Sequence, residues 1–171
     1  MPSDFTPDPE LQSVATRSAE LCVSYLKSKF GKTADYSEAF VAEVENVLAL
    51  LHLSMRAAKP SAGDIEQFCS MFGSYLGETY RRNRGGVWGV SEGNTPTLSF
   101  GGEYKSFPWA RVYKRLLNGG EDNVLHWYQA MIQYAAEGNP APSAAPAIPP
   151  PLPTSTPPAQ KKSFLRRLFG G

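Results

Sequence analysis

The chain has 171 residues, 42% hydrophobic and 19% charged, with 17 Lys and Arg against 16 Asp and Glu, which suits one domain with appendages and is cramped for two. No run of about 18 apolar residues occurs, which excludes a spanning helix of ordinary length. Two cysteines and two histidines without metal-ligand spacing argue against a protein-only zinc site.

Proline and charge both divide the chain. Nine of the 15 prolines fall between Pro140 and Pro158, so residues 1–138 are read as a globular domain, 139–160 as a Pro/Ala-rich disordered linker and 161–171 as a basic amphipathic peptide. All 16 acidic residues and 13 of the cations precede the linker, a net charge of −3, whereas Lys161, Lys162, Arg166 and Arg167 give the end +4. A mildly acidic domain lacks the clustered cations that phosphate neutralisation needs, so no nucleic-acid partner is expected. Met1-Pro2-Ser3-Asp4 lacks the basic and apolar start of a secretory signal, which makes the cytoplasm the expected compartment, with peripheral membrane contact through the tail as an addition.

In chain order, Asp8 and Pro9 open a first helix with Leu11, Val14, Leu21, Cys22 and Tyr25 on one face, and Gly31 closes it. Ser37 is expected to cap a second helix, with Phe40, Val44, Val47, Leu48, Leu51 and Met55 inward. It ends before Pro60, and its wide stripe predicts the most buried helix. Asp64 is read as the cap of a third, carrying Ile65, Phe68, Cys69, Phe72, Tyr75, Leu76 and Tyr80. Gly73 and Gly77 inside it cost about 1 kcal/mol each relative to alanine, which predicts a backbone packed against them, or a ligand.

Beyond Gly85-Gly86, segments 87–90, 97–100 and 103–107 read as a small antiparallel sheet of two or three strands, with Gly101-Gly102 as a hairpin link. Pro108 opens a fourth helix with Trp109, Val112, Tyr113 and Leu116 inward, closed by Asn118-Gly119-Gly120. Asp122 or Asn123 opens a fifth with Val124, Trp127, Tyr128 and Met131. The fold class is therefore α+β: three helices, a hairpin sheet and two helices.

Phe72-Gly73-Ser74-Tyr75-Leu76-Gly77-Glu78, followed by Arg81, Arg82, Gly85-Gly86 and Trp88, resembles a pattern of small bacterial domains of unknown function. A hairpin there leads to a segment similar to Phe107-Pro108-Trp109 through Gly119. The resemblance spans roughly residues 38–134. It implies a bacterial source and an α+β fold, and brings no catalytic residues.

Glu78, Arg81, Arg82, Trp88, Trp109, Arg111 and Arg115, with Arg84 nearby, form the candidate binding cluster, since arginine forks and tryptophan faces suit carboxylate, phosphate or protein recognition. The plainer reading pairs Glu78 with Arg81 and Arg82 along one helix and puts the tryptophans in the core. Gly85-Gly86 follows a helix and precedes a strand, the wrong order for a phosphate loop. Neither histidine stands in a recognisable triad, and no cofactor or catalytic residue is assigned. His52 is read as packed or hydrogen-bonded, and the cysteines as core thiols.

The tail carries the stronger functional signal. Its linker reaches about 70 Å if extended. Beyond it, Phe164, Leu165, Leu168 and Phe169 share one face of a short helix whose cations are Lys161, Lys162, Arg166 and Arg167. The expected function is a non-enzymatic protein-interaction module with a tethered docking peptide, its partner another protein or, weakly, an anionic membrane. The alternatives are a toxin-neutralising immunity protein and a small enzyme acting on an anionic substrate at the Arg/Trp cluster.

Overall fold

The computed structural model describes residues 4–101 and 104–137. The linker and peptide read from the sequence, 139–171, lie outside them. Five helices and a four-stranded antiparallel sheet make the fold α+β.

Helix α1, Pro9–Phe30, starts where the Asp8 carboxylate accepts from the Glu10 and Leu11 N–H groups, at 2.9 and 3.0 Å. Ser37 caps a single 3₁₀ turn, Glu38–Phe40, that leads into α2, Val41–Ala58. Lys59 then leaves in the left-handed region ahead of Pro60. Helix α3 spans Ala62–Arg84, and its cap is Ser61 rather than Asp64. The Ser61 hydroxyl accepts from the Asp64 N–H while the Asp64 carboxylate accepts from the Ser61 N–H, so Asp64 is the third residue of a capping box.

The sheet has one strand more than the alternation predicts. Strands β1, Thr6–Pro7, β2, Val87–Ser91, β3, Thr95–Phe100, and β4, Tyr104–Ser106, lie in that order. The two-residue β1 pairs Thr6 with Val90 and Pro7 with Gly89. It is admitted because residue 89 is glycine: a Cβ there would lie 2.2 Å from the Thr6 carbonyl oxygen and 2.6 Å from the Phe5 ring. Trp88, Leu98, Phe100, Tyr104 and Ser106 are buried on the sheet's inner side.

Helix α4, Pro108–Asn118, and helix α5, Val124–Glu137, complete the chain. A 3₁₀ turn, Gly120–Asp122, joins them, and the Asn123 side chain accepts from the His126 N–H at 3.0 Å.

The most enclosed helix is α3, not α2: every residue from Met71 to Tyr80 is buried. Helix α1 packs along it, α4 crosses it, and Trp88 and Phe100 of the sheet reach it, so it has neighbours on nearly every side. Helix α2 keeps a solvent side, where Leu50 and Leu53 are exposed.

Candidate functional site

The second half of α3 positions the candidate cluster, and its small residues explain how. A Cβ at Gly73 would lie 2.7 Å from Trp109 Cα and 2.8 Å from its backbone nitrogen, and one at Gly77 would lie 2.3 Å from the Trp88 ring. The start of α4 and the β2 tryptophan therefore rest on bare α3 backbone, which is the close approach predicted from the paired glycines. Both indoles are oriented by hydrogen bonds: Trp109 Nε1 donates to Ser74 Oγ and Trp88 Nε1 to Glu78 Oε1, each at 2.9 Å.

Glu78 is the centre of this arrangement and is 0% exposed. Its Oε1 accepts from Trp88, from Arg81 Nε at 2.7 Å and from Gln12 Nε2 at 3.2 Å, and its Oε2 from Arg81 Nη2 at 2.9 Å and Arg82 Nε at 3.4 Å. Burial pushes its pKa up, but the Arg81 and Trp88 hydrogen bonds and the two guanidinium charges outweigh that, leaving the carboxyl below the ordinary glutamate range. The bond to Glu78 in turn raises Arg81.

Arg82 also covers an aromatic step. Its guanidinium carbon sits 3.6 Å from the centre of the Tyr36 ring, which stacks on Tyr75 with centroids 4.8 Å apart. Tyr36 has a φ of 57°. It is held there by its hydroxyl donating to Glu20, its N–H donating to Tyr75 Oη and its carbonyl accepting from Asn83.

The remaining arginines go elsewhere. Arg84 binds Glu38 through Nε at 2.5 Å and Nη2 at 2.9 Å, and Tyr128 donates to the same carboxylate at 3.2 Å. The Arg84 bonds hold Glu38 below the usual range against its partial burial, while burial together with the Glu38 charge raises Tyr128. Arg111 pairs with Asp122 at 3.0 Å and lies 5.9 Å from the Trp127 ring; burial lowers it, and the Asp122 charge opposes this.

Arg115 forms a buried pair with Glu45 of α2, both Nε and Nη2 lying 2.8 Å from Oε1, while Glu45 Oε2 accepts the Val124 N–H at 2.9 Å. The structure thus brings Glu78, Arg81, Arg82 and Trp88 together, sets Trp109 one helical turn away against Ser74, and assigns Arg111 and Arg115 to the junction of α4 with α5 and α2. The tail residues Lys161, Lys162, Phe164, Leu165, Arg166, Arg167, Leu168 and Phe169 lie outside the described residues.

Gln12, Tyr36 and Glu45 are among the participants that had no place in the candidate cluster. Glu45 had a readable signal, since it stands four residues after Val41 and three before Leu48, on the apolar stripe itself. Gln12 and Tyr36 meet α3 only through the tertiary fold.

His52 Nδ1 lies 2.7 Å from the Leu116 carbonyl oxygen. Cys22 and Cys69 are buried, and burial raises both thiols, that of Cys69 to about 12. Among the described residues no three His, Cys, Asp or Glu side chains are grouped to hold a metal ion, and no helix is long and apolar enough to cross a membrane. Compared with protein-family models, curated proteins and solved structures, the chain matches none.

Proposed function

We propose that the protein is a non-enzymatic interaction module, in which the folded body carries a tethered basic, amphipathic peptide to an anionic surface. The observation that carries this reading is the inward commitment of the Glu78 cluster. Both carboxylate oxygens accept from Arg81, with Trp88, Gln12 and Arg82 completing the set, so Glu78 and Trp88 serve the frame while Arg81 and Arg82 keep a solvent side. The concentrated one-signed charge of the chain is then at Lys161, Lys162, Arg166 and Arg167.

Magnitudes make the contact weak and reversible. Four large apolar groups contribute about 1.5–3 kcal/mol each when buried, and ordering about eight residues costs roughly 1–2 kcal/mol apiece, so these terms nearly cancel. The cations, at about 1 kcal/mol each near an anionic surface, decide the balance, and salt weakens them. A covalent link to a folded body adds effective concentration wherever the body makes a second contact.

The test pairs the 171-residue chain with a variant in which Lys161, Lys162, Arg166 and Arg167 are changed to Glu. One arm is sedimentation with phosphatidylserine-containing vesicles, the other binding to polyglutamate. The native chain should bind in at least one arm at low salt and release at high salt, and the variant should bind in neither. Equal behaviour of the two chains in both arms overturns the proposal.

A further inference from the structure

Helix α2 presents a second apolar side, opposite the one that fills the core. Val44, Val47, Leu48 and Leu51 are buried, whereas Leu50 is 53% and Leu53 60% exposed. Ala49 and Ala57 flank them, Asn46 and Ser54 are the polar residues of that side, and Glu43, paired with Lys32, and Arg56 stand at its margins. Single exposed leucines are ordinary. Two of them three residues apart on one helix, with alanines beside them and charges only at the margins, form a shallow apolar seat.

We propose that this seat is a reversible docking site for the chain's own segment Phe164–Phe169. The proposal rests on the reading of that segment as a docking peptide. Size favours this occupant over a second copy of the chain. A stable dimer needs roughly 1,200–2,000 Å² of buried surface, more than a stripe on one helix supplies, whereas two leucines suit a short segment offering Phe164, Leu165, Leu168 and Phe169.

Chain length favours it as well. Helix α5, which packs on α2 through the Val124–Glu45 hydrogen bond, leads at Glu137 into the sequence that carries the segment. The intervening residues 138–163 span about 80 Å at 3.1 Å each when extended, about twice the width of a body this size. Reach is therefore not limiting, and a tether of this length gives an effective concentration on the order of millimolar, so even a millimolar contact is substantially occupied. Charge acts in the same direction over the body as a whole, net −3 against a segment of +4, while at the seat itself Arg56 is exposed and Glu43 is paired with Lys32. Docking of this kind shields the segment's apolar side until an anionic partner competes for it.

The experiment uses the whole chain with Gly170→Cys carrying a nitroxide, the two native thiols being buried. Amide signals of residues 49–57 should lose most of their intensity in dilute solution. No loss should appear in a mixture of isotope-labelled chains without nitroxide and unlabelled chains carrying it. Leu50→Ser with Leu53→Ser, at exposed positions, should restore the signals and raise vesicle or polyglutamate binding severalfold. Absence of the loss, its spread over the whole body, or its appearance in the mixed sample overturns the proposal. Local loss in a chain that binds neither vesicles nor polyglutamate would keep the seat and remove the reading of the segment as a peptide for anionic partners.

Discussion

Buried at residue 78, a carboxylate has no water to solvate it, and Arg81, Arg82, Trp88 and Gln12 take over that role. Glu78→Ala leaves the Trp88 N–H and two guanidinium groups without their acceptor. Its expected cost is near the lower end of the about 3–5 kcal/mol typical of a broken buried pair, because both arginines reach solvent. Glu78→Gln retains an acceptor and should cost about 1.5–3 kcal/mol; urea unfolding of both variants measures the difference. The sign of the pH effect follows from the depressed carboxyl: its contribution is complete above the ordinary glutamate value of about 4.3 and is lost as pH falls through the native one. Between about pH 5 and pH 3 the native protein should therefore lose stability more steeply than Glu78→Gln, and equal slopes would show that Glu78 is not held in its charged form. Gly77→Ala is expected to destabilise by about 1–3 kcal/mol although alanine is the better helix former, because the added methyl enters the buried Trp88 ring. Gly120→Ala, where a Cβ meets nothing within 4 Å, should fall within about 0.5 kcal/mol of the native protein in the same measurement. At this scale the i+3 and i+4 pairing of Glu78 with Arg81 and Arg82 was legible in the sequence. Trp88 was placed in the same cluster, whereas the Gln12 and Tyr36 contacts were not legible, because they cross from other elements.

Among elements, α5 is secured by three polar contacts to different neighbours: the Val124 N–H to Glu45, the Tyr128 hydroxyl to Glu38, and the Met131 sulfur accepting from Ser106 Oγ at 3.3 Å. Glu45 ties three helices, since the same carboxylate holds Arg115 of α4 and the first turn of α5, where a negative charge also suits the helix dipole. Arg115→Met removes its charged partner and should cost about 3–5 kcal/mol. Adding Glu45→Gln to that variant should recover part of the loss, because the carboxylate left uncompensated is then neutral. A double-mutant cycle in urea gives the coupling, and strict additivity would show that the two side chains do not act as a pair. Element positions were largely readable because caps are local chemistry: Asp8 with Pro9, Ser37, Pro60, Pro108 and Gly119 all mark boundaries in the structure. The misreadings have equally local causes. Ser61 and Asp64 are both good caps, and only their reciprocal bonds decide between them. Thr6-Pro7 is too short to alternate, so pairing with β2 alone makes it a strand.

For the whole molecule, α3 belongs to both halves of the packing, meeting α1 on one side and Trp88, Phe100 and α4 on others. The α+β class could be read in advance from the order of periodic segments. The rank of α3 could not, because enclosure depends on how closely neighbours approach Gly73 and Gly77 rather than on how many apolar residues a stripe contains. A helix shared in this way predicts that the body opens as one unit. Cys22 on α1 and Cys69 on α3 report on the helical layer, their thiols buried and raised above the usual range, and Trp88 reports on the sheet's contact with α3. A thiol reagent in excess should therefore leave both cysteines unmodified in the native protein. Along a urea series, their labelling, the change in tryptophan fluorescence and the loss of helical circular dichroism should share one midpoint. Labelling of either cysteine at a urea concentration where fluorescence is still native would mean that α1 leaves α3 before the sheet does, and the body would then comprise two cooperative units meeting along α3.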